Sequence, residues 1–285
     1  MMKLKILCLL ILWNLPVFGQ KKKIPAIGVV QDIKNDSLLN TFGFTCLVES
    51  VSVLLSPRTV TEEQFQANLK TIKNLKVPLY ACNLFIPGDL KVVGPKVDEK
   101  AVLAYVDVVL RRAKAAGLRL ITWGSGGSRG VPPGFDQAEA KKQFIYMAKK
   151  IAMVASKYDI LLALENLNST ECNFLNKLGE ALEVVKAVDH KNFRLCIDIY
   201  HMLKENELPT VIEGTKKYAI YCEIAEKEGR TPPGVNGEDL RPYLRALKKE
   251  GYKGKIVMEC RWQNLALQGS MAYQNLRQQV DEAYK

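Results

Sequence analysis

Eight short apolar runs, separated by segments of helical periodicity, constrain this chain more than any other feature. The runs are IPAIGVV near Ile24, FTCLVESV from Phe44, VPLYACNLFI from Val77, LRLITWGS from Leu118, ILLALENLN from Ile160, FRLCIDIYHM from Phe193, AIYCEIAE from Ala219 and KIVMECRW from Lys255. Each is long enough for a strand covered on both faces, as in a parallel sheet wrapped by helices. The intervening segments carry helix signals. TEEQFQANLKTIKNLK opens at Thr61 with Glu62 and Glu63 in its first turn, and a second helix runs from Asp98 to a glycine stop at Gly117. Gln137 to Lys157 repeats apolar residues three and four apart at Phe144, Met147, Ile151 and Val154. Further helices are expected from Phe174, Leu208, Gly237 and Ser270, and the first crossover, near Ser37 to Asn40, is short. Strand–helix units of this kind, with no composition break or Ser/Gly-rich linker, predict an α/β fold, a single (β/α)8 barrel over residues 20–285. An open doubly wound sheet would carry a glycine-rich phosphate turn after its first strand, and Gly28-Val29-Val30-Gln31 is not one.

The first nineteen residues read differently. Lys3 and Lys5 precede an apolar run from Ile6 to Phe18, interrupted by Asn14 and Pro16, and Gly19 stands before Gln20-Lys21-Lys22-Lys23. That is the layout of a secretory signal, with cleavage after Gly19 and an exported, periplasmic or secreted product. The run falls short of the about 20 residues a membrane span needs, so no stable membrane insertion is expected after cleavage. Of the seven cysteines, Cys46, Cys82, Cys196, Cys222 and Cys260 fall inside strand-like runs, with no CxxC pair and no paired Cys/His spacing. They read as small buried residues rather than a zinc site. The formal charge of +11 falls to +9 once Lys3 and Lys5 leave with the signal. Lysines such as Lys141, Lys142, Lys149, Lys150, Lys248 and Lys249 alternate with apolar residues along helical segments, so solvated helix faces account for the charge and no nucleic-acid partner is expected.

A barrel of this kind carries its chemistry at the C-terminal ends of its strands. The first four ends are poor in titratable groups, offering Gln31, Glu49, Asn83 and the Gly124–Arg129 loop. The last four are rich: Glu165, Asp198, His201, Glu223, Glu226, Arg230 and Glu259. Glu165, Asp198 and Glu259 each end an apolar run, on strands five, six and eight. Carboxylates converging on one point repel, and a divalent cation relieves the repulsion. Oxygen ligands suit Mn²⁺, with Mg²⁺ or Co²⁺ as alternatives, over a structural zinc. His201 follows Asp198 by three, whereas His190 lies in a polar turn.

The Glu165 strand end, Asp198-x-x-His201, Glu223-Ile224-Ala225-Glu226, Arg230-Thr231-Pro232-Pro233-Gly234 and Glu259 together resemble the xylose-isomerase-like barrels, the group of sugar-phosphate isomerases and epimerases that includes ketose 3-epimerases. The resemblance covers essentially the whole mature chain. It implies one metal ion held by two glutamates, an aspartate and a histidine. Glu165, Asp198 and Glu259 match that set, but the family's HxHIAE strand stands here as Tyr221-Cys222-Glu223-Ile224-Ala225-Glu226. Glu223 occupies the histidine's place, and the site is expected to persist as an all-carboxylate one. By the same resemblance Glu165 and Glu259 are the catalytic bases, and His201, Arg230 and Glu226 contact the substrate.

The implied reaction is proton abstraction next to a carbonyl, through an enediolate, on a carbohydrate. Export argues against a phosphorylated sugar. A free-sugar isomerase or epimerase is therefore the first reading. A lyase or hydratase on 3-keto-glycosides would use the same machinery, and a metal-free carbohydrate-binding barrel is a third reading. DNA-cleaving relatives of this fold assemble a histidine-rich zinc cluster, which a chain with two histidines cannot build. Protein recovered from the native cell should begin at Gln20; N-terminal sequencing that returns an intact Met1 would refute the export signal.

Overall fold

The computed structural model describes residues 24–285, so the export signal expected over residues 1–19 lies outside the described residues. Strands β1 (Ile27–Val30), β2 (Cys46–Ser50), β3 (Leu79–Asn83), β4 (Leu120–Trp123), β5 (Leu161–Glu165), β6 (Phe193–Asp198), β7 (Ala219–Ile224) and β8 (Ile256–Met258) pair in sequence order and close on themselves. Every pairing is parallel, including the closing one, where Ile27, Gly28 and Val29 of β1 stand opposite Ile256, Val257 and Met258 of β8. The expected (β/α)8 barrel is the fold.

Alternation along each strand sorts side chains between two layers. Cys46, Val48, Ala81, Leu120, Ala163, Cys196, Tyr221 and Val257 form one cluster inside the barrel. Their strand neighbours, among them Leu47, Cys82, Ile121, Leu162, Ile197 and Cys222, join the outer core shared with the helices. The interior is narrow at β1, where a Cβ on Gly28 would collide with the Cys46 side chain. On the outside, helix Gln137–Tyr158 buries Phe144, Met147, Ile151 and Val154, the stripe its periodicity predicts. Phe144 meets Trp123 of β4 at 5.0 Å between ring centroids, and Trp123 meets Phe193 of β6 at 6.1 Å. Fully burying side chains of this size stabilises by about 1.5–3 kcal/mol each, so these outer contacts clamp the helix across β4 and β6.

Local signals set several helix ends as expected. Thr61 and Gln64 form a reciprocal capping box at the start of Glu62–Lys73, and Asp98 caps Glu99–Ala115, followed by Gly117 at φ +78°. Elsewhere the boundaries differ from the sequence pattern. The stretch from Leu208 is not a helix: it makes only a 3₁₀ turn, Pro209–Ile212, before Gly214 turns the chain at φ +84°. The helix that follows β6 is instead Ile199–Lys204, nucleated directly by the Asp198 cap. The helix expected from Phe174 starts at Leu178, because Leu175 holds φ +59°. The last helix starts earlier than Ser270, at Leu265, where the Asn264 side chain accepts from the Leu267 N–H. The lysine-bearing faces are solvated and partly paired, as in Lys141–Glu183 at 2.6 Å and Lys142–Glu139 at 3.6 Å. All six described cysteines are free thiols, five of them buried.

One irregularity bears on the mouth of the barrel. The β6–β7 register slips between Leu195 and Cys196, so that Asp198 stands opposite Glu223 rather than Cys222. A slip of one residue exchanges the faces of a strand. Here it brings two inward carboxylates to one level.

Candidate active site

Glu165 and Asp198 are the last residues of β5 and β6, Glu223 is the penultimate residue of β7, and Glu259 directly follows β8. Continuing the alternation, all four project inward above the apolar plug. One oxygen from each lies within 4.8 Å of the others. Glu165, Asp198 and Glu223 are buried, and Glu259 is partly so. They lie under a cleft of about 350 Å³ at the barrel mouth whose lining includes Gln31, Glu49, Asn83, Arg230, Glu259 and Arg261.

Each carboxylate is held by the chain around it. Asp198 caps the helix it starts: its Oδ1 accepts from the His201 N–H at 2.9 Å, which leaves Oδ2 without a hydrogen-bond partner. This is the physical content of the Asp-x-x-His spacing, since an N-cap oxygen reaches the N–H three residues on. Glu223 receives the Cys196 thiol on Oε2 at 3.7 Å, and its buried Oε1 has no partner. Glu165 packs against Gly124, where any Cβ would fall inside its carboxylate. Glu259 is the most engaged. Its Oε1 accepts from Asn83 Nδ2 at 2.9 Å and its Oε2 from the Arg230 guanidinium.

The electrostatics follow from crowding. Burial, reinforced by Glu259, Glu165 and Asp198, raises Glu223 well above the usual carboxylate range. Burial also raises Glu259, to about 7, although Arg230 pulls the other way. Burial opposes charge on His201 too, but Asp198 and Glu165 outweigh it and push the ring to about 9. Geometry limits that tendency. Asn168 donates its backbone N–H to Nδ1 at 3.0 Å, so Nδ1 must present a lone pair, and the ring proton sits on Nε2. We take the neutral tautomer, with Nε2 3.2 Å from Glu165 Oε1 and 3.7 Å from Asp198 Oδ2. His201 is fully buried and faces these carboxylates, not the open cleft where a substrate contact was expected.

Asp198 Oδ2 and Glu223 Oε1 are buried at zero residue exposure without a hydrogen-bond partner, beside two further carboxylates. Glu165, Asp198, Glu223 and Glu259 fit a divalent ion, and a second grouping of Glu165, Asp198 and His201 overlaps it.

Arg230 reaches this cluster from the loop after β7. Besides the Glu259 carboxylate it bonds the Glu259 carbonyl through Nε at 3.0 Å, and its guanidinium lies over the Tyr200 ring at 4.7 Å. Its backbone is strained, at φ +55° following Gly229 at φ +67°. Glu226 holds that conformation. Its carboxylate accepts from the Thr231 hydroxyl and from the N–H groups of Gly234, Asn236, Gly237 and Glu238, at 2.6–3.2 Å. Both oxygens of Glu226, a residue expected to contact the substrate, are engaged inside the loop, and the side chain is fully buried.

A family model described as the xylose isomerase-like TIM barrel matches residues 39–283. The chain belongs to that family. Among curated members it is 30% identical over 115 residues to D-psicose 3-epimerase of Ruminiclostridium cellulolyticum, covering 39% of this chain and 38% of the relative. It is 25% identical over 134 residues to inosose isomerase of Halalkalibacterium halodurans, covering 43% and 47%. The chain thus spans less than half the length of these relatives. A crystal structure of 3-keto-D-glucoside 4-epimerase from E. coli superposes with a TM-score of 0.74 at 18% identity, covering 89% of this chain and 99% of that one. That likeness establishes a shared fold.

Three residues of this xylose isomerase-like site went unread in the sequence, and a fourth, Arg129, was read only as the end of the Gly124–Arg129 loop. Arg129 is fully buried and donates to the Glu165 carbonyl at 2.7 Å and the Trp123 carbonyl at 3.3 Å, tying β4 to β5 under the carboxylates. Asn166 bridges β5 to β6 by bonding the Asp198 N–H and carbonyl at 3.2 and 3.3 Å. Asn168 sets the His201 tautomer. Glu171 stands 3.5 Å from Arg230 Nη1 and accepts from Asn168 Nδ2 at 3.1 Å. The Gly124–Arg129 loop hinted at Arg129, and the run Glu165-Asn166-Leu167-Asn168, ending an apolar strand, hinted at the two asparagines. Glu226→Ala should cost about 2–3 kcal/mol, the desolvation of several loop donors, and should speed amide hydrogen exchange across residues 230–238. Unchanged exchange there would show that Glu226 does not hold the Arg230 loop.

Proposed function

We propose that this chain is a divalent-metal-dependent isomerase or epimerase that moves a proton next to the carbonyl of a non-phosphorylated sugar or sugar derivative. The observation that carries the reading is the meeting of Glu165, Asp198, Glu223 and Glu259 within 4.8 Å at the mouth of a barrel. Two features support it. Curated relatives that share part of the chain are named as epimerases and isomerases of ketoses and inososes. The export signal read in the sequence argues for a substrate without phosphate.

The chain's own residues divide the work. Glu165, Asp198, Glu223 and Glu259 would hold the ion, Mn²⁺ in the first instance because the donors are oxygens. A bound divalent ion supplies a Lewis acid for the carbonyl and stabilises the negative charge that develops there. One of Glu165 and Glu259 takes the proton from the carbon beside the carbonyl, leaving an enediolate, and the other returns a proton to the opposite face. Arg230 and Asn83 hold Glu259 in place from its two oxygens. The His201 Nε2–H faces Glu165, 3.2 Å from its Oε1. Arg230 also lines the cleft, where its remaining donors can meet a substrate hydroxyl.

The same proton abstraction can expel a neighbouring substituent, which keeps a lyase or hydratase acting on 3-keto-glycosides as a second reading. The fold neighbour from E. coli is named for a 3-keto-D-glucoside, and that name favours including such compounds in any assay. A panel of free ketoses and 3-keto-glycosides, incubated with Mn²⁺ in D₂O, should give one sugar deuterated beside its carbonyl. Glu165→Gln and Glu259→Gln should each slow that exchange about 10²–10⁴-fold in chains that remain folded by circular dichroism. Near-normal exchange in either variant removes the two-base assignment.

Metal affinity tests Glu223. Calorimetry should find one Mn²⁺ site at micromolar concentrations in the wild type. Glu223→Ala should weaken it about 10–100-fold, and Glu223→His should shift preference toward nitrogen-loving ions such as Zn²⁺. If the wild type binds no divalent ion, the non-catalytic carbohydrate-binding reading takes precedence. If Glu223→Ala binds as tightly as wild type, Glu223 is not a ligand.

A further inference from the structure

A second cleft of about 480 Å³ opens over the ends of β2, β3 and β4. Leu84, the residue after β3, lines both this cleft and the one above Glu259. Ser50 lines the first cleft and Ser52 the second, and their hydroxyls hydrogen-bond to each other. Ser125 and Gly126, in the wall of the second cleft, directly follow Gly124, against which the Glu165 carboxylate packs. The two clefts are neighbouring chambers of one mouth. A single sugar ring at the carboxylates needs only the first.

The divider is unusual. Leu84 is 56% exposed and holds φ +53°. An apolar, non-glycine residue rarely adopts that conformation, and such strained positions cluster at ligand clamps. Standing between the two chambers, Leu84 offers a hydrocarbon surface to whatever bridges them.

The lining of the second cleft names a chemistry. Its only charged residues, Arg58 and Asp89, are ion-paired with each other, so it offers donors and acceptors without net charge. Ser52 and Thr59 add hydroxyls, and Leu84 and Pro87 add an apolar strip. A phosphate would find its cation already neutralised. A flat aromatic group would find no open ring, because Tyr105 is only 7% exposed with the Arg58 guanidinium 5.8 Å from its centroid. A pyranose has apolar C–H faces and a rim of hydroxyls, and suits this mixture.

We propose that the second cleft is a subsite for the second ring of a neutral two-ring glycoside whose reacting ring lies in the first cleft. The assignment of the reacting ring rests on the sugar reading given above. The probes are unreactive: methyl α- and β-glucoside against trehalose, maltose and cellobiose, titrated calorimetrically into the mature chain. At least one disaccharide should bind about 10-fold tighter than the methyl glucosides, the gain expected from a few well-placed hydrogen bonds. Ser52→Trp, which fills the second cleft, should abolish that advantage and leave methyl glucoside affinity within about twofold. Arg58→Ala should reduce the advantage about threefold. The proposal is overturned if no disaccharide binds more tightly than the methyl glucosides, absence of all binding included, or if the advantage survives Ser52→Trp. Deuterium exchange on the corresponding 3-keto sugars, run in parallel, separates the two readings. A disaccharide preference without exchange on any sugar removes the proposed reaction and leaves the subsite standing.

Discussion

Carboxylates from four consecutive strands share one small volume at the open end of a closed barrel, and the remainder of the site answers that crowding. At separations below 5 Å, two ionised groups repel by roughly 3–4 kcal/mol at an effective dielectric of about 20, and four groups make six such pairs. Among the described residues Arg230 is the one Lys or Arg paired with the cluster, so full ionisation would leave a net charge near −3, and burial and crowding instead raise Glu223 and Glu259. The structure meets part of this with hydrogen bonds: the helix cap on Asp198, the thiol on Glu223, and Asn83 and Arg230 on Glu259. Unpartnered oxygens on Asp198 and Glu223 mark the part it does not meet.

Placing those groups is the work of a polar layer one step removed from the cleft. Arg129, Asn166 and Asn168 tie β4, β5 and β6 together through backbone atoms, so the strand ends carrying Glu165 and Asp198 cannot separate independently. Glu226 does the same for the loop after β7, spending a buried carboxylate on five donors to hold Arg230 in a strained conformation. Buried charges of this sort are costly unless fully hydrogen-bonded, and Glu226 is. Precision at Glu259 is therefore built from both sides, by a loop organised around Glu226 and by Asn83 from across the barrel.

Glu223 sharpens the same constraint, because the β6–β7 register slip places its buried carboxylate opposite Asp198. A neighbouring cysteine, Cys196, contributes only a weak thiol donor. The contrast between the mouth's two chambers follows from this distribution of charge: the first is lined by acids and two arginines, and the second by one mutually neutralising ion pair.

Much of this was legible in the residues. Doubly buried strands read as apolar runs because both faces of a barrel strand are covered, and helix caps such as Thr61 and Asp98 act over three residues, so the fold and most helix starts could be found locally. Glu165, Asp198 and Glu259 were legible as anionic residues ending apolar runs, and Arg230 and Glu226 through a shared motif. The motif could not say that Glu226 faces inward to its own loop, because that depends on where the N–H groups of residues 234–238 fold back. The helix after β6 was misplaced to Leu208 because Asp198 was read as a ligand and not also as a cap. Arg129, Asn166, Asn168 and Glu171 carry no periodic or charge-pair signal, and their partners lie on other strands or across turns. Sequence by itself determined the barrel and the acids that could line it, since hydrophobic alternation and capping are short-range. Only the tertiary structure decided which oxygens meet, which are already spent, and that the mouth has two chambers, because barrel closure, strand register and loop packing join residues far apart in the chain.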